Sequence, residues 1–277
     1  MLIATWNVNS IRTRLPQVMD WIKEVNPDLL CLQETKVEDK SFPKEQFEEY
    51  GYHTYFHGQK SYNGVALLSK EPLNDVRFGI KDELKNNDEA EKLSEQKRVI
   101  SALIEGIRIV NIYVPNGSSV NSDKYDYKIK WLKCMKKYLE AQSKREEPLC
   151  LLGDINIAPD DRDIHNPEKL TGSIMASELE RKCLRDLLNK RLEDVFRIFE
   201  PHSGHWSWWD YRSSAWERDK GWRIDQIYLS EELIQNAKSC KIHKKVRSNL
   251  KPSDHAPVVV EINWPAEDLE DSFPYFT

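Results

Sequence analysis

Short apolar runs recur along the chain from its first residues to about residue 262, and several of them end at Gly, Pro or Asn. Runs of this kind are typical of buried strands. We predict strands at residues 2–8, 29–33, 53–57, 65–69, 99–105, 108–114, 149–153, 224–229 and 258–262. Longer stretches indicate helices at about residues 15–25, 122–143 and 176–190, and the first is stopped by Asn26-Pro27.

Strands outnumber helices in this pattern, and only isolated crossovers between strands look helical. The pattern therefore favours an α/β fold in which two packed sheets are flanked by helices, over a doubly wound parallel sheet. The highly charged segment 81–98 and the Asp- and Pro-rich segment 158–171 are predicted to be loops.

The run from Leu149 to Gly153 ends abruptly in a carboxylate and an amide, Asp154 and Asn156. Because side chains alternate across a strand, the two should point the same way, where a buried strand meets solvent. Such a pair suits a metal-binding or water-activating site. It is also ordinary turn chemistry, so its meaning depends on the polar residues at the other strand ends.

Composition limits the class of protein. A chain of 277 residues with 39% hydrophobic residues and nine Trp can build a sizeable core. Its five Cys form no C-x-x-C pair, which fits a reducing compartment. Neither a signal peptide nor an apolar run of membrane-spanning length is visible in the sequence, so we expect a soluble cytoplasmic protein that does not use a membrane.

The net charge of −5 argues weakly against nucleic acid as a partner. Basic residues nevertheless concentrate in the predicted helix 122–143, which includes Lys128, and again between Lys238 and Lys251. Such patches can guide an anionic polymer, although solvated helix faces explain them equally well.

Polar residues collect at the predicted strand ends. They are Asn7, Asn9, Glu34, Tyr113, Asn116, Asp154, Asn156, Asp225, Asp254 and His255. Carboxylates such as Glu34 and Asp254 are the ligands that a hard cation such as Mg²⁺ prefers. His255 could contact a substrate through one ring nitrogen and a carboxylate such as Asp225 through the other. Zinc-type Cys/His spacing, a nucleophile elbow and phosphate-binding glycine loops do not occur in the sequence.

Each of these residues also has a structural interpretation. The asparagines could form turns, Asp225 could pair with Arg223 at the surface, and a His beside Pro is more often structural than catalytic. Their joint occurrence at strand ends is what favours a site.

Seven segments, in order, resemble the exonuclease III family of abasic-site endonucleases, within the deoxyribonuclease I-like superfamily. They are Asn7-Val8-Asn9, Leu32-Gln33-Glu34-Thr35-Lys36, Asn63-Gly64-Val65-Ala66, Gly153-Asp154-Ile155-Asn156-Ile157-Ala158-Pro159, Trp208-Trp209-Asp210-Tyr211-Arg212, Trp222-Arg223-Ile224-Asp225 and Ser253-Asp254-His255-Ala256-Pro257. The resemblance implies a four-layered α/β sandwich formed by one catalytic domain at residues 1–264, followed by an acidic C-terminal tail at 265–277.

The resemblance also implies roles at the site. Glu34, Asp254 and Asn9 would bind Mg²⁺, with Mn²⁺ as an alternative, and the number of metal ions stays open because some relatives carry Asp in place of Asn9. Asp154 would orient or deprotonate the attacking water. His255, held by Asp225, would contact a phosphate oxygen, while Asn7, Asn156 and Tyr113 would complete the phosphate pocket. These residues leave two candidate bases, Asp154 and Tyr113.

The expected substrate is double-stranded DNA with abasic sites or blocked 3′ ends, handled by a monomer. A sugar without a base leaves the helix easily, so a tight apolar pocket can select it. The resemblance assigns that pocket and the nearby DNA contacts to Trp208, Trp222, Ile224, Arg212, Asn116, Tyr62 and Asn63. Trp209 is expected in the core instead.

The expected reaction is hydrolysis of the phosphodiester 5′ to the abasic site, leaving a 3′-hydroxyl. A 3′→5′ exonuclease and a 3′-phosphatase or phosphodiesterase activity are expected beside it. A phosphatase of the same superfamily acting on lipid or inositol phosphates is the alternative, disfavoured by the Trp208 and Trp222 segments. A DNA-binding module without catalysis is a third possibility, disfavoured because each expected catalytic position is filled.

Overall fold

The computed structural model describes residues 1–85 and 87–265. Within them the strands are β1 (Leu2–Asn7), β2 (Leu29–Gln33), β3 (His53–His57), β4 (Val65–Ser69), β5 (Asn74–Phe78), β6 (Val99–Ile104), β7 (Ile107–Tyr113), β8 (Leu149–Asp154), β9 (Glu193–Asp194), β10 (Asp225–Leu229), β11 (Ala237–Ile242) and β12 (Val258–Ile262). The helices are α1 (Ile11–Val25), α2 (Lys44–Glu48), α3 (Asp88–Ser94), α4 (Asp123–Gln142), α5 (Pro167–Leu170), α6 (Glu178–Leu188), α7 (Val195–Phe199) and α8 (Glu231–Gln235).

The strands form two mixed sheets of six strands each within the described residues. Sheet I has the order β11-β12-β1-β2-β4-β3, and sheet II has the order β5-β6-β7-β8-β10-β9. Each sheet contains a parallel pair at its centre, β1 with β2 and β7 with β8. A parallel pair needs a crossover, and α1 and α4 provide it, one in each sheet.

Packing of the two sheets creates the central core. Inner-face residues such as Ile3 and Leu67 of sheet I and Ile109 and Leu152 of sheet II form one apolar cluster. The outer face of sheet I packs against α1, and that of sheet II packs against α4 and α6. Strands covered on both faces read as continuous apolar runs, as β8 does. The predicted α/β sandwich of two sheets flanked by helices is confirmed.

Gly153 shows why the parallel pair of sheet II requires a glycine near its carboxyl end. Its φ is +141°, and a Cβ at this position would lie 1.9 Å from the carbonyl oxygen of Ile112 on the neighbouring strand. A larger residue would therefore push β8 away from β7 just before Asp154.

Segment 81–98 was predicted to be a loop, and this prediction is wrong for α3. The side chain of Asn87 accepts hydrogen bonds from the backbone N–H groups of Glu89 and Ala90 and so caps the helix. Ala90 and Leu93, one turn apart, are buried against sheet II and α4. Two apolar positions and a cap are enough to form a short helix where tertiary contacts are available. In the sequence, the many charged residues around these two positions hide the helical pattern.

The remaining differences lie at boundaries and edges. Helix α1 begins at Ile11 rather than near residue 15, with Pro16 inside it, and the short α5 lies in the predicted loop 158–171. Three polar strands at or near sheet edges, β5, β9 and β11, were not predicted because they lack a continuous apolar run.

The described residues contain no helix both long and apolar enough to cross a membrane. Residues 266–277, which hold nearly all of the predicted acidic tail, lie outside the described residues.

Candidate active site

The carboxyl ends of the two parallel pairs meet where the sheets pack. Strand β1 ends at Asn7 and β2 is followed by Glu34, while β8 ends at Asp154 in the opposite sheet. The side-chain amide of Asn7 donates to Glu34 Oε2 at 3.0 Å and to Asp154 Oδ2 at 2.8 Å. One buried amide therefore holds two carboxylates from different sheets close together.

Glu34 is held in a strained turn directly after β2. Both Glu34 and Lys36 have a φ of +53°, in the left-handed region that residues other than glycine seldom adopt. The turn is fixed by backbone hydrogen bonds from Thr35 to Gly64 and from Lys36 to Asn63. Gly64 must be glycine, because a Cβ there would lie 2.1 Å from Thr35 Oγ1. The Asn63-Gly64 segment thus has a structural role in presenting Glu34.

Asp154 lies in an environment that favours its protonated form. Burial, together with the charges of Asp225 and Glu34, outweighs the opposing influence of His255 and the Asn7 amide and raises the pKa of Asp154 to about 7. A carboxylate with a pKa near 7 is a much better proton acceptor than an ordinary aspartate.

His255 and Asp225 form a buried pair beside Asp154. The Nδ1 atom of His255 lies 2.9 Å from Asp225 Oδ2, and its Nε2 atom lies 3.8 Å from Asp154 Oδ2. Burial alone would lower the pKa of His255, but Asp225, Asp154 and Asp254 outweigh it and raise the pKa to about 10. The imidazole is therefore positively charged at neutral pH, with Nε2 as a free donor on the side of Asp154.

Ser207 was not predicted, and it fixes Asp225. Its hydroxyl donates to Asp225 Oδ2 at 2.6 Å and accepts the backbone N–H groups of Ile224 and Asp225, each at 3.0 Å. The sequence gives no sign of this role beyond the position of Ser207 next to Trp208.

Two of the oxygen ligands predicted for a metal, Asn9 and Asp254, contact each other next to Asn7. Asn9 donates to Asp254 Oδ1 at 2.9 Å, and the indole N–H of Trp208 donates to Asp254 Oδ2 at 2.9 Å. Burial alone would raise the pKa of Asp254, but His255 and the donors Asn9 and Trp208 outweigh it and lower the pKa. Asp254 is thus held as a carboxylate.

The Lys36 ammonium group tests whether this set accepts a cation. It lies 2.7 Å from Asn9 Oδ1 and 3.3 Å from Glu34 Oε1, so oxygen atoms of two predicted ligands already face a positive charge. Hard oxygen donors around a cation position fit Mg²⁺. Lys36 belongs to the segment Leu32–Lys36, but no role was predicted for it. Its position two residues after Glu34 could have indicated one.

Asp154, Asp225 and His255 form a second cluster of possible metal ligands, whose donor atoms all lie within 4.8 Å of one another. Here His255 is held in its charged form by Asp225, and a protonated imidazole cannot coordinate a metal. Glu34, Asn9 and Asp254 offer oxygen donors instead, the type that a hard cation prefers.

Three further predicted residues lie around Asp154. Asn156 donates from Nδ2 to the Val114 carbonyl at 2.9 Å and to Asp154 Oδ2 at 3.3 Å, and it accepts from Asn116 at 3.1 Å. Asn156 faces Asp154 as predicted, but from a left-handed turn with a φ of +51° beyond the end of β8 rather than from the strand.

Tyr113 is buried at the end of β7. Burial and the Glu34 charge hold the pKa of Tyr113 well above its usual range, against the guanidinium group of Arg98, which lies 4.6 Å from its ring centroid. Tyr113 is therefore a phenol at neutral pH and can donate a hydrogen bond.

Two cavities flank this cluster and meet at Asn116 and Ser118. The first, about 530 Å³, is lined by Met175, Trp208 and Trp222 together with Arg212. Ile224 was predicted to line the pocket, and this is not seen. Its side chain is buried in the same apolar cluster as Trp222. Met175 was not predicted at all. Trp209 is fully buried, as expected for a core residue.

The second cavity, about 590 Å³, lies on the side of Glu34 and is lined by Tyr62, Asn63, Arg98 and Tyr113 among others. Tyr62 is highly exposed at its edge. Arg212, at the first cavity, has an 87% exposed side chain that binds Asp210 at 2.6 Å. Both residues lie outside the carboxylate cluster, on surfaces open to a large ligand.

Residues 4–255 match the endonuclease/exonuclease/phosphatase family. The exodeoxyribonuclease III of Haemophilus influenzae is 36% identical over 273 residues, covering 94% of this chain and 99% of that protein. The structure is similar to the 3′ phosphatase NExo from Neisseria bound to product DNA hairpin, with 38% identity, a TM-score of 0.89 and coverage of 95% of this chain and 100% of that one. It is also similar to an AP endonuclease from Archaeoglobus fulgidus, with 40% identity, a TM-score of 0.87 and coverage of 95% and 99%.

The fold and the carboxylate site define a phosphoester hydrolase of the endonuclease/exonuclease/phosphatase family, to which this chain belongs. Within it, the chain is a member of the exonuclease III family of abasic-site endonucleases. The predicted resemblance and the predicted class, a nuclease of DNA repair, are confirmed.

Proposed function

We propose that this protein repairs DNA by hydrolysing the phosphodiester 5′ to an abasic site in the duplex, leaving a 3′-hydroxyl. A 3′→5′ exonuclease and a 3′-phosphatase activity accompany this incision at the same site. One observation carries the proposal above the others: Asn7 joins Glu34 of the cation site to Asp154, whose pKa is about 7. Relatives named as an exodeoxyribonuclease III, a 3′ phosphatase and an AP endonuclease support it.

Glu34, Asp254 and Asn9 would hold Mg²⁺, with Mn²⁺ as a substitute. When bound, a divalent cation neutralises negative charge on the phosphoryl oxygens and on the leaving oxygen. The contact of Lys36 with Glu34 and Asn9 supports a cation at this position.

Asp154 is the proposed base. Its carboxylate is fixed by Asn7 and by the backbone N–H of Asn156 at 3.0 Å, so it can orient a water for in-line attack and take its proton. Tyr113, the other candidate, keeps its own proton because its pKa lies well above the usual range. Tyr113 instead donates a hydrogen bond to a phosphate oxygen.

The charged His255 stabilises the additional negative charge that develops on the phosphate. Its Nδ1 donates to Asp225, which fixes the ring and leaves Nε2 for a phosphate oxygen. Asn156 adds a neutral donor to the same pocket, and Asn7 holds Asp154 and Glu34 in place.

The cavity lined by Trp208, Trp222 and Met175 would take the sugar that lacks a base. Apolar walls of this kind suit a deoxyribose that has left the helix without a base. Arg212 and Asn116 would contact the duplex on one side, and Tyr62 and Asn63 on the other. Binding by a monomer in the cytoplasm stays a prediction, as does a single catalytic domain at 1–264.

A time course on one labelled duplex with an abasic site and a recessed 3′-phosphate end would rank the three activities. We expect abasic incision and 3′-phosphate removal that both stop in EDTA and return with excess Mg²⁺. Action on DNA that persists in EDTA would contradict the metal-dependent mechanism. Turnover of inositol phosphates faster than of the abasic duplex would favour the phosphatase alternative.

A further inference from the structure

A buried ion pair lies behind the site and has no part in the mechanism above. Lys128 of α4 and Glu180 of α6 are both fully buried, with Nζ and Oε1 separated by 2.5 Å. The sequence placed Lys128 in a basic surface patch, which is wrong because this face of α4 packs on α6. Burial of two charges is costly, and often no more stabilising than an apolar pair of similar volume.

Lys128 fixes the backbone of both asparagines at the site. Its ammonium group donates to the Asn156 carbonyl at 2.7 Å and to the Asn116 carbonyl at 3.2 Å. The side chains of Asn116 and Asn156 in turn contact each other, and Asn156 contacts Asp154. One buried cation therefore positions the amides next to the proposed base.

Glu180 fixes the wall of the cavity that holds Trp208 and Trp222. Its Oε1 accepts the backbone N–H of Met175 at 3.1 Å, and its Oε2 accepts the hydroxyl of Ser177 at 2.6 Å. Since Met175 lines that cavity, Glu180 sets where the wall stands.

Asn156 and Met175, the residues whose backbones this ion pair binds, have unusual backbone conformations. Asn156 has a φ of +51° and Met175 a φ of +67°, and an unbranched apolar side chain seldom occurs in this left-handed region. Such conformations persist only where the surroundings impose them. Lys128 binds the carbonyl of one and Glu180 binds the N–H of the other.

We propose that the Lys128–Glu180 pair is a positioning device that couples the phosphate-binding amides to the wall of the sugar pocket. It thereby sets both the rate of incision and the preference for an abasic sugar over an intact nucleotide. The kinetic part of the proposal rests on the proposed function.

The test uses the double variant Lys128→Met/Glu180→Leu beside the single variant Glu180→Gln. The single variant leaves Lys128 buried without a charged partner, so we expect its melting temperature to fall by roughly 10 °C. The double variant removes both charges together with the hydrogen bonds to Asn156 and Met175, whereas Glu180→Gln keeps Lys128 and an acceptor at position 180. Stability and positioning are separated in this way.

Arg108→Met is the matched control. Arg108 is a buried charge bound to Asp75 at 2.6 Å and to Glu147 at 3.0 Å. It lies at the far end of β7, about 16 Å along the strand from Tyr113. Its loss should lower stability without touching the site.

Two measurements decide the proposal. Amide hydrogen exchange should accelerate at residues 155–158 and 173–177 in the double variant and stay unchanged there in the control. The kcat for abasic incision should fall roughly 10- to 100-fold, with a smaller change in KM, because misplaced groups slow chemistry more than binding. The ratio of abasic incision to removal of normal 3′ nucleotides should fall as well.

Unchanged exchange at both segments in the double variant would overturn the proposal, whatever the substrate. An equal loss of kcat in Arg108→Met at equal stability would also overturn it, since the effect would then be general. If the wild-type protein does not cut abasic DNA, the proposed function fails, and hydrogen exchange still decides whether the pair fixes these two segments.

Discussion

Asp154 and Asp254 lie at the same site, both next to His255, yet their pKa values move in opposite directions. Burial and the neighbouring carboxylates raise the pKa of Asp154 to about 7, whereas His255 and the donors Asn9 and Trp208 outweigh burial and lower the pKa of Asp254. Asp154 is fully buried beside two carboxylates, whereas Asp254 is only partly buried and is bound by two donors. When an environment separates two like groups in this way, their chemical roles separate too.

In the proposed mechanism, Asp154 handles the proton and Asp254 helps to hold the cation. Sheet II contributes the first through β8, and the segment before β12 of sheet I contributes the second. Asn7 contacts Asp154 directly and is connected to Asp254 through Asn9. Substitutions at the two aspartates should consequently fail in different ways, although the chemical change, Asp to Asn, is identical.

Asp154→Asn should have the largest effect. The variant loses the base, so we expect kcat for abasic incision to fall roughly 10²- to 10⁴-fold, with duplex affinity nearly unchanged. Because the folded-state pKa of Asp154 is raised, its ionisation costs stability progressively from the ordinary aspartate pKa up to about 7 and fully above it, so the melting temperature of the variant at pH 8 should rise. Gel-shift, single-turnover and thermal-unfolding measurements would check this.

Asp186→Asn is the control for that substitution, because Asp186 is an exposed residue of α6 that pairs only with Lys182 in the described structure. It should leave both kcat and stability unchanged. Wild-type incision by Asp154→Asn would contradict its assignment as base.

Asp254→Asn should instead weaken the cation site. We expect the Mg²⁺ concentration needed for half-maximal activity, and the Mg²⁺ Kd from calorimetry, to rise roughly 10- to 100-fold. Excess Mg²⁺ should restore much of the rate, which it cannot do for Asp154→Asn. Rescue of both variants by Mg²⁺, or of neither, would remove the distinction between the two aspartates.

The pH profile of kcat/KM should show an acidic limb from Asp154 and a basic limb from His255. Asp154 acts in its ionised form, so the rate should fall about tenfold per pH unit below its pKa of about 7. A bound divalent cation should move this limb to lower pH, because positive charge favours the carboxylate. His255 acts in its charged form and should lose it only as pH rises through about 10. An acidic limb that survives in Asp154→Asn would assign it to another group.

How much of this could be predicted from the sequence depends on distance along the chain. The sandwich and the strand-end positions of Glu34, Asp154 and Asp254 followed from short apolar runs and the polar residues after them. Helix α3 did not, since its stability comes from a cap and two contacts with sheet II and α4. Residues that act by binding a distant segment of the chain could not be predicted from the neighbouring sequence either.

Ser207 and Met175 illustrate that limit. Ser207 binds Asp225, which lies on another segment, and Met175 lines the cavity from a segment whose backbone Glu180 binds. The opposite pKa shifts of Asp154 and Asp254 were equally hidden, because they depend on which side chains surround each carboxylate after folding. The identity of a residue as Asp does not indicate in which direction its pKa will shift.

Ser207→Ala should have a smaller effect than Asp154→Asn or Asp254→Asn, and it tests whether the two sides of the site are linked through His255. The variant removes the 2.6 Å hydrogen bond to Asp225 and leaves two backbone N–H groups without their acceptor. Asp225 should hold the His255 ring less firmly, so we expect kcat to fall about three- to tenfold, the free-energy range of one or two hydrogen bonds.

Mg²⁺ affinity should stay unchanged, because Ser207 does not contact Glu34, Asn9 or Asp254 in the described structure. Ser207→Thr keeps the hydroxyl and should retain most of the rate. A rise in the Mg²⁺ Kd of Ser207→Ala would show that His255 supports the cation site as well, and the functional separation of Asp154 from Asp254 would then be incomplete.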